Sequence, residues 1–140
     1  MFLILPVIIN MDSQVPTAKD IVDAYSRIQP YVHRTPVMHS QSANGILGCQ
    51  LYLKCENLQK VGAYKARGAT NKLLQLLKAK PHLKGVCTHS SGNHGQALAY
   101  ISHILKVPCY VVMPQNSPEV KRAAVKGYNS HVVDSGNTQK

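Results

Sequence analysis

A chain of 140 residues can bury one modest core, and a hydrophobic share of 44% beside 16% charged residues excludes a disordered or fibrous polypeptide. Sixteen Lys and Arg against six Asp and Glu leave a net charge of +10, but these bases are scattered without a block or aromatic interleaving, so a solvated basic face is expected rather than a nucleic-acid binder. Cys49, Cys55, Cys87 and Cys109 show no close-pair spacing and form no zinc pattern with the seven histidines, which fits a reducing, cytoplasmic compartment and no metal site.

Met1 to Ile9 is apolar, yet Pro6 interrupts it, and it has neither a basic start nor a small-residue cleavage site. It is also shorter than the roughly 20 residues a bilayer span needs. Residues 1–10 are therefore expected to be an extension ahead of a start at Met11. Thr17 with Asp20 three residues on reads as a helix cap, and Ile21, Val22, Tyr25 and Ile28 mark one apolar face of a helix that Pro30 ends. His33 to Ser40 is extended by Pro36, and Asn44-Gly45 predicts a turn before a strand over 51–55.

A helix follows from 65 to Lys80-Pro81. The remainder alternates: strand 85–89, helix 94–106, strand 108–113, helix 118–127, strand 130–134. Such alternation predicts an α/β fold with a parallel sheet built from right-handed βαβ units. Ser117-Pro118-Glu119 supplies a cap, a proline and an acid for the helix at 118. Val107 to Met113 is nearly all apolar, as a strand covered on both faces should be, and Cys87 and Cys109 are expected as small buried residues.

Two stretches carry chemistry. In Glu56-Asn-Leu-Gln-Lys-Val-Gly-Ala-Tyr-Lys65-Ala-Arg-Gly-Ala, Lys65 falls at a strand-to-helix junction, with Gly62 permitting a tight approach. The positive end of the helix and the neighbouring Lys60 and Arg67 disfavour an ammonium there, which is how an amine is freed to form a Schiff base with a carbonyl. Read alone, Lys65 is more simply an ordinary solvated helical lysine, since lysines near helix starts are common and mostly inert. In His89-Ser-Ser91-Gly-Asn93-His-Gly95-Gln-Ala-Leu-Ala-Tyr100, a loop of small and polar residues opens onto a helix N-terminus, a ready site for a carboxylate or phosphate. Read alone, it is equally a capped turn with Ser90 or Ser91 as the cap.

Together the two stretches resemble the fold-type-II pyridoxal-phosphate enzymes, specifically the serine racemase and threonine/serine dehydratase family, from about Asp12 to the C-terminus. The resemblance implies the tryptophan synthase β-like fold, truncated after its N-terminal part. Residues 11–80 would be part of a large cofactor domain and 81–140 most of a small α/β domain, with the active site between them. It further implies that Lys65 holds pyridoxal 5'-phosphate covalently and that Asn93 hydrogen-bonds its ring hydroxyl. Ser90, Ser91, Gly92, Asn93 and His94 would receive the substrate carboxylate, and Ser91 would be the acid/base on the face opposite Lys65. Thr35-Pro36 is a familiar landmark of the family. Where relatives read Thr-Gly-Ser-Phe-Lys, this chain reads Val61-Gly-Ala-Tyr-Lys65, keeping the lysine and losing two hydroxyls.

The activity implied is interconversion of L- and D-serine with elimination of serine to pyruvate and ammonia. Threonine/serine dehydration is the alternative, and a non-catalytic truncated homologue that only docks onto a partner is another. Some members bind ATP with Mg2+ as an effector at a homodimer interface, and the matching positions are Ser40, Gln41, Lys60, Gln96 and Tyr128. The partners implied are an amino-acid substrate, serine or threonine, and a second subunit, with no nucleic acid and no membrane.

Overall fold

The computed structural model describes residues 3–4 and 15–136. Four parallel strands form the main sheet in the order β1 (Leu3–Ile4), β4 (Val86–His89), β5 (Cys109–Met113) and β6 (His131–Asp134). Leu3 pairs with Val86, Val86 with Cys109, and Tyr110 with His131. The strand-and-helix alternation read from the sequence is realised as a parallel α/β layer. Of the expected extension, only Leu3–Ile4 falls among the described residues, as the edge strand beside β4. The proposed start at Met11 lies outside them.

The core forms where helix α4 (Asn93–Ile104) is caught between α3 (Lys65–Ala79) and the sheet. Its run Ala97-Leu-Ala-Tyr-Ile101 is apolar nearly all round, as a helix with neighbours on two sides requires, and every residue from Ala97 to Ser102 is buried. Leu73 of α3, Val111 and Met113 of β5 and Val125 of α5 (Glu119–Gly127) complete the cluster. Gly95 allows the close approach: a Cβ there would lie 2.8 Å from Val111 Cγ1 and 3.3 Å from the Ser90 carbonyl. Cys109 is buried as expected and Cys87 only half-buried, because β4 and β5 both bury alternate residues and Cys87 pairs with Tyr110 on the partly open face.

Helix α1 (Ala18–Ile28) starts as the sequence predicts: Thr17 Oγ1 accepts from Asp20 N–H at 3.2 Å, and Asp20 accepts from Thr17 N–H at 2.8 Å. Its apolar stripe is only partly covered. Ile28 is buried against the rest of the fold, whereas Ile21 is 65% and Val22 62% exposed.

The strand expected over 51–55 is found as β3 (Tyr52–Lys54), and the extended 33–40 segment contains β2 (Val37–His39); the sequence did not signal that the two pair as an antiparallel sheet, and all six of its residues are exposed. The turn expected at Asn44-Gly45 is a correction. Those residues lie inside α2 (Gln41–Leu47), because Ser40 caps that helix through Ala43 N–H and Gly48, in the left-handed region at φ 64°, ends it. Asn44 instead accepts from Leu51 N–H at 2.8 Å.

Ser117 is a second correction. Pro118 occupies the capping position of α5 and the buried Ser117 hydroxyl has no hydrogen-bond partner, since the extended Pro118 carries that side chain away from the helix N–H groups. No helix among the described residues is long and apolar enough to cross a membrane.

Candidate active site

Lys65 is the first residue of α3, and the chain reaches it through two 3₁₀ turns, Glu56–Leu58 and Lys60–Gly62. Gln59, 4% exposed, clamps this approach. Its side-chain carbonyl accepts from the N–H groups of His33 at 2.8 Å and Lys60 at 2.9 Å, and its amide donates to the His33 carbonyl at 2.8 Å. The clamp holds Val61 at φ 56° and Gly62 at φ 65°. Glycine takes that conformation freely, whereas a β-branched residue there is strained by about 1–2 kcal/mol, and Val61 offsets this by packing against the core.

Glu56 and Arg67 close a second clamp across the start of α3. The guanidinium donates to both carboxylate oxygens, Nε to Oε2 at 2.8 Å and Nη2 to Oε1 at 2.7 Å, and Thr35 Oγ1 donates to Oε1 at 2.6 Å. Arg67 and Thr35 together hold the Glu56 carboxyl at about 2, well below the ordinary range. Lys54 Nζ donates to the Thr35 carbonyl at 2.6 Å, tying β3 into the same network. Arg67, expected as a free cation beside Lys65, is thus neutralised by Glu56. Sequence reasoning missed these clamps. The one signal available was the Thr35-Pro36 landmark.

The Ser90 loop leaves β4 at the carboxyl end of the sheet, where open α/β folds place ligands. Ser90 Oγ accepts from Gly92 N–H at 3.2 Å and Gly95 N–H at 3.0 Å, but the N-cap position itself falls on Gly92, not on Ser90 or Ser91. The N–H groups of Asn93 and His94, in the first turn of α4, have no acceptor among the described residues. Ser91, Asn93 and His94 are solvent-accessible and Gly92 half-buried.

Helices α3 and α4 pack against each other, which brings the two stretches together. Burial lowers the pKa of His94 first, and the positive charge of Lys65 lowers it further, which places the imidazole within electrostatic reach of the Lys65 amine. Lys65 itself is exposed, its Nζ 5.0 Å from the Tyr64 ring centroid. An accessible amine and the Asn93 amide fit a carbonyl-bearing cofactor with a ring hydroxyl, and the two open N–H groups fit a carboxylate.

The remaining candidates divide. Lys60 Nζ lies 6.0 Å from the Tyr100 ring, Tyr128 stacks edge-on to Tyr100 at 5.7 Å, and Gln96 sits one turn ahead of Tyr100 on α4. Ser40 and Gln41 stand at the start of α2, Ser40 capping that helix through Ala43 N–H, and no hydrogen bond among the described residues joins them to that cluster. Among the described residues no group of three His, Cys, Asp or Glu is placed to hold a metal ion.

The family described as "Pyridoxal-phosphate dependent enzyme" matches residues 28–140. The chain is 51% identical over 116 residues to serine racemase of Dictyostelium discoideum, covering 83% of this chain and 36% of that protein. It is 48% identical over 119 residues to L-threo-3-hydroxyaspartate ammonia-lyase of Saccharomyces cerevisiae, covering 85% of this chain and 36% of that protein. Among solved structures, a pyridoxal 5'-phosphate-dependent aspartate racemase superposes with a TM-score of 0.81 at 46% identity, covering 86% of this chain and 39% of that one. The chain thus spans little more than a third of the length of these relatives.

Proposed function

From a chain that belongs to the pyridoxal-phosphate-dependent enzymes, in the serine racemase and threonine/serine dehydratase branch of fold type II, we propose a part of an enzyme that racemises serine and eliminates its hydroxyl to give pyruvate and ammonia. The observation that carries this reading is the packing of α3, which begins at Lys65, against α4, which begins in the Ser90–Gly95 loop.

Bound pyridoxal phosphate supplies an electron sink for negative charge at the substrate α-carbon. Lys65 is the residue that carries it, and Lys65 Nζ takes or returns the α-proton on one face. Ser91 Oγ does so on the other. The Asn93 and His94 N–H groups hold the substrate carboxylate, favoured by the positive end of α4. The Asn93 amide would hold the ring hydroxyl, and the lowered pKa of His94 disfavours a second cation beside Lys65. Two proton-transfer groups on opposite faces support racemisation, whereas loss of a β-hydroxyl after deprotonation needs only one.

Hydroxyaspartate elimination is a second reading, favoured by the identity to the yeast ammonia-lyase. Residues 11–80 are read as part of a larger cofactor domain and 81–140 as most of a smaller one. Lys60, Gln96 and Tyr128 around Tyr100 support a nucleotide effector site, for ATP with Mg2+, better than Ser40 and Gln41 do, and a homodimer interface is its proposed setting.

The test is borohydride reduction of the chain with pyridoxal phosphate followed by peptide mapping. The label is expected on Lys65 and lost in Lys65→Ala. Label on another lysine with Lys65 unmodified overturns the reading.

A further inference from the structure

The outer edge of β4 presents backbone groups that only another strand can use. In a parallel ladder one residue turns its N–H and C=O to the strand on one side, and the next residue turns them to the other side. Val86 N–H donates to the Pro108 carbonyl at 2.9 Å and Ser90 N–H to the Val112 carbonyl at 3.0 Å. The even-numbered positions therefore serve β5, and Cys87 and His89 face outward. Sheets blunt an open edge with lysine, proline, a bulge or charge, because an unpaired row of N–H and C=O groups recruits another chain. Val86-Cys-Thr-His89 holds no lysine, proline or acid, and it pairs with β5 without a bulge. The opposite edge of the sheet differs: β6 ends at Asp134, which Arg122 of α5 holds at 2.7 Å.

What meets the outer edge of β4 is β1. Leu3 pairs with Val86 and Ile4 with Cys87, in parallel register. Since Cys87 is the residue that faces outward, the ladder assigns the bonds: Leu3 N–H points to the Gly85 carbonyl, the Leu3 carbonyl to Cys87 N–H, and Ile4 N–H away from β4. The stretch that carries these residues, Met1-Phe-Leu-Ile-Leu-Pro-Val-Ile-Ile9, has no charged side chain in a chain of net charge +10. It brings apolar chain to the edge and no like charge to oppose the pairing.

We propose that the outer edge of β4 is a docking surface for an extended apolar strand, and that its occupant is the N-terminal segment of this same chain, anchored through the backbone of Leu3. The proposal goes beyond the proposed function and does not rest on it. Because β4 runs directly into the Ser90–Gly95 loop, the strand that covers its edge also braces the base of that loop.

The experiment follows amide hydrogen exchange in the full 140-residue chain at Cys87 and, as a control on the rest of the sheet, at Val86, which bonds to β5. Leu3→Pro removes the N–H that points to β4 and sets a ring against the Gly85 carbonyl, whereas Ile4→Pro removes an N–H that points away. Cys87 is expected to exchange about tenfold faster in Leu3→Pro than in the parent and at the parent rate in Ile4→Pro, with Val86 unchanged in both. A peptide of residues 1–9 with three lysines appended for solubility, added to the Leu3→Pro chain, should restore the protection of Cys87, as an added strand does at a sheet edge. Equal Cys87 rates in the parent and Leu3→Pro overturn the proposal, as do two proline variants that behave alike. A peptide that restores nothing also overturns it, since the edge would then not dock a separate strand. Faster exchange at Val86 together with Cys87 does so as well, because β1 would be holding the whole sheet rather than covering its edge. Protection in the parent that falls on dilution overturns the choice of occupant, since a second copy would be supplying the strand.

Discussion

The molecule is held together in two ways, and the boundary between them passes close to Lys65. Around β5 the structure is apolar and closed: Val86, Ala97, Ile101, Val111, Met113 and Val125 are all fully buried. Around β2 and β3 it is polar and open. There the buried residues include Thr35 and Gln59, each 4% exposed, and both strands keep their side chains at the surface. Apolar burial contributes free energy without direction, whereas hydrogen bonds contribute direction with a modest net energy. The closed half supplies the stability. The open half supplies the geometry at the start of α3.

The largest break expected is Ile101→Ala, which opens a cavity in the helix caught between α3 and the sheet. A fully buried isoleucine truncated to alanine costs about 2–5 kcal/mol, much of the 5–15 kcal/mol typical of a whole domain. Urea unfolding followed by circular dichroism measures it. A cost below about 1 kcal/mol would mean that the core relaxes around the void and the contrast between the halves is overstated.

A smaller and pH-dependent effect is expected at Glu56, whose carboxyl is held at about 2 against an ordinary 4.5. Because the folded value is the depressed one, the pair's stabilisation is fully present above pH 4.5 and is lost as pH falls towards 2. The downward shift corresponds to about 3 kcal/mol, and solvent around the partly exposed pair reduces this to about 1–2 kcal/mol. Glu56→Gln should therefore destabilise the chain at pH 7 and flatten its acid limb between pH 4.5 and 2. Parent and variant with parallel acid limbs would show that the clamp is not formed in solution.

Legibility in the sequence follows the same division. The capping box of α1, the alternation of β4 to β6, Lys65 at a helix start and the polar loop before α4 are local patterns, set by residues a few positions apart, and each is found where it was read. The clamps are not local. Gln59 reaches His33, Glu56 meets Arg67 and Thr35, and no spacing rule connects such residues before the chain is folded. Asn44-Gly45 misled for another reason: a strong turn dipeptide was outweighed by a serine cap before it and a left-handed glycine after it. The apolar stripe of α1 was legible as a pattern, but its burial was not, because a stripe does not say what covers it.

The smallest effect is expected where the second sheet is most apolar and least covered. Leu53 in β3 stands opposite Met38 in β2, and they are 46% and 55% exposed. A cross-strand pair of this kind contributes about 0.2–1 kcal/mol, and water already reaches much of both side chains, so little burial is lost when one is shortened. Leu53→Ser should thus cost no more than about 0.5 kcal/mol in urea unfolding, at the level of an ordinary surface substitution. The result sharpens the comparison if it is small beside Ile101→Ala, since two leucine-sized side chains would then differ only in what surrounds them. A cost near 2 kcal/mol would break it: Leu53 would have to be buried in solution, and the open face of β2 and β3 would be covered by another molecule or by a different packing of the chain.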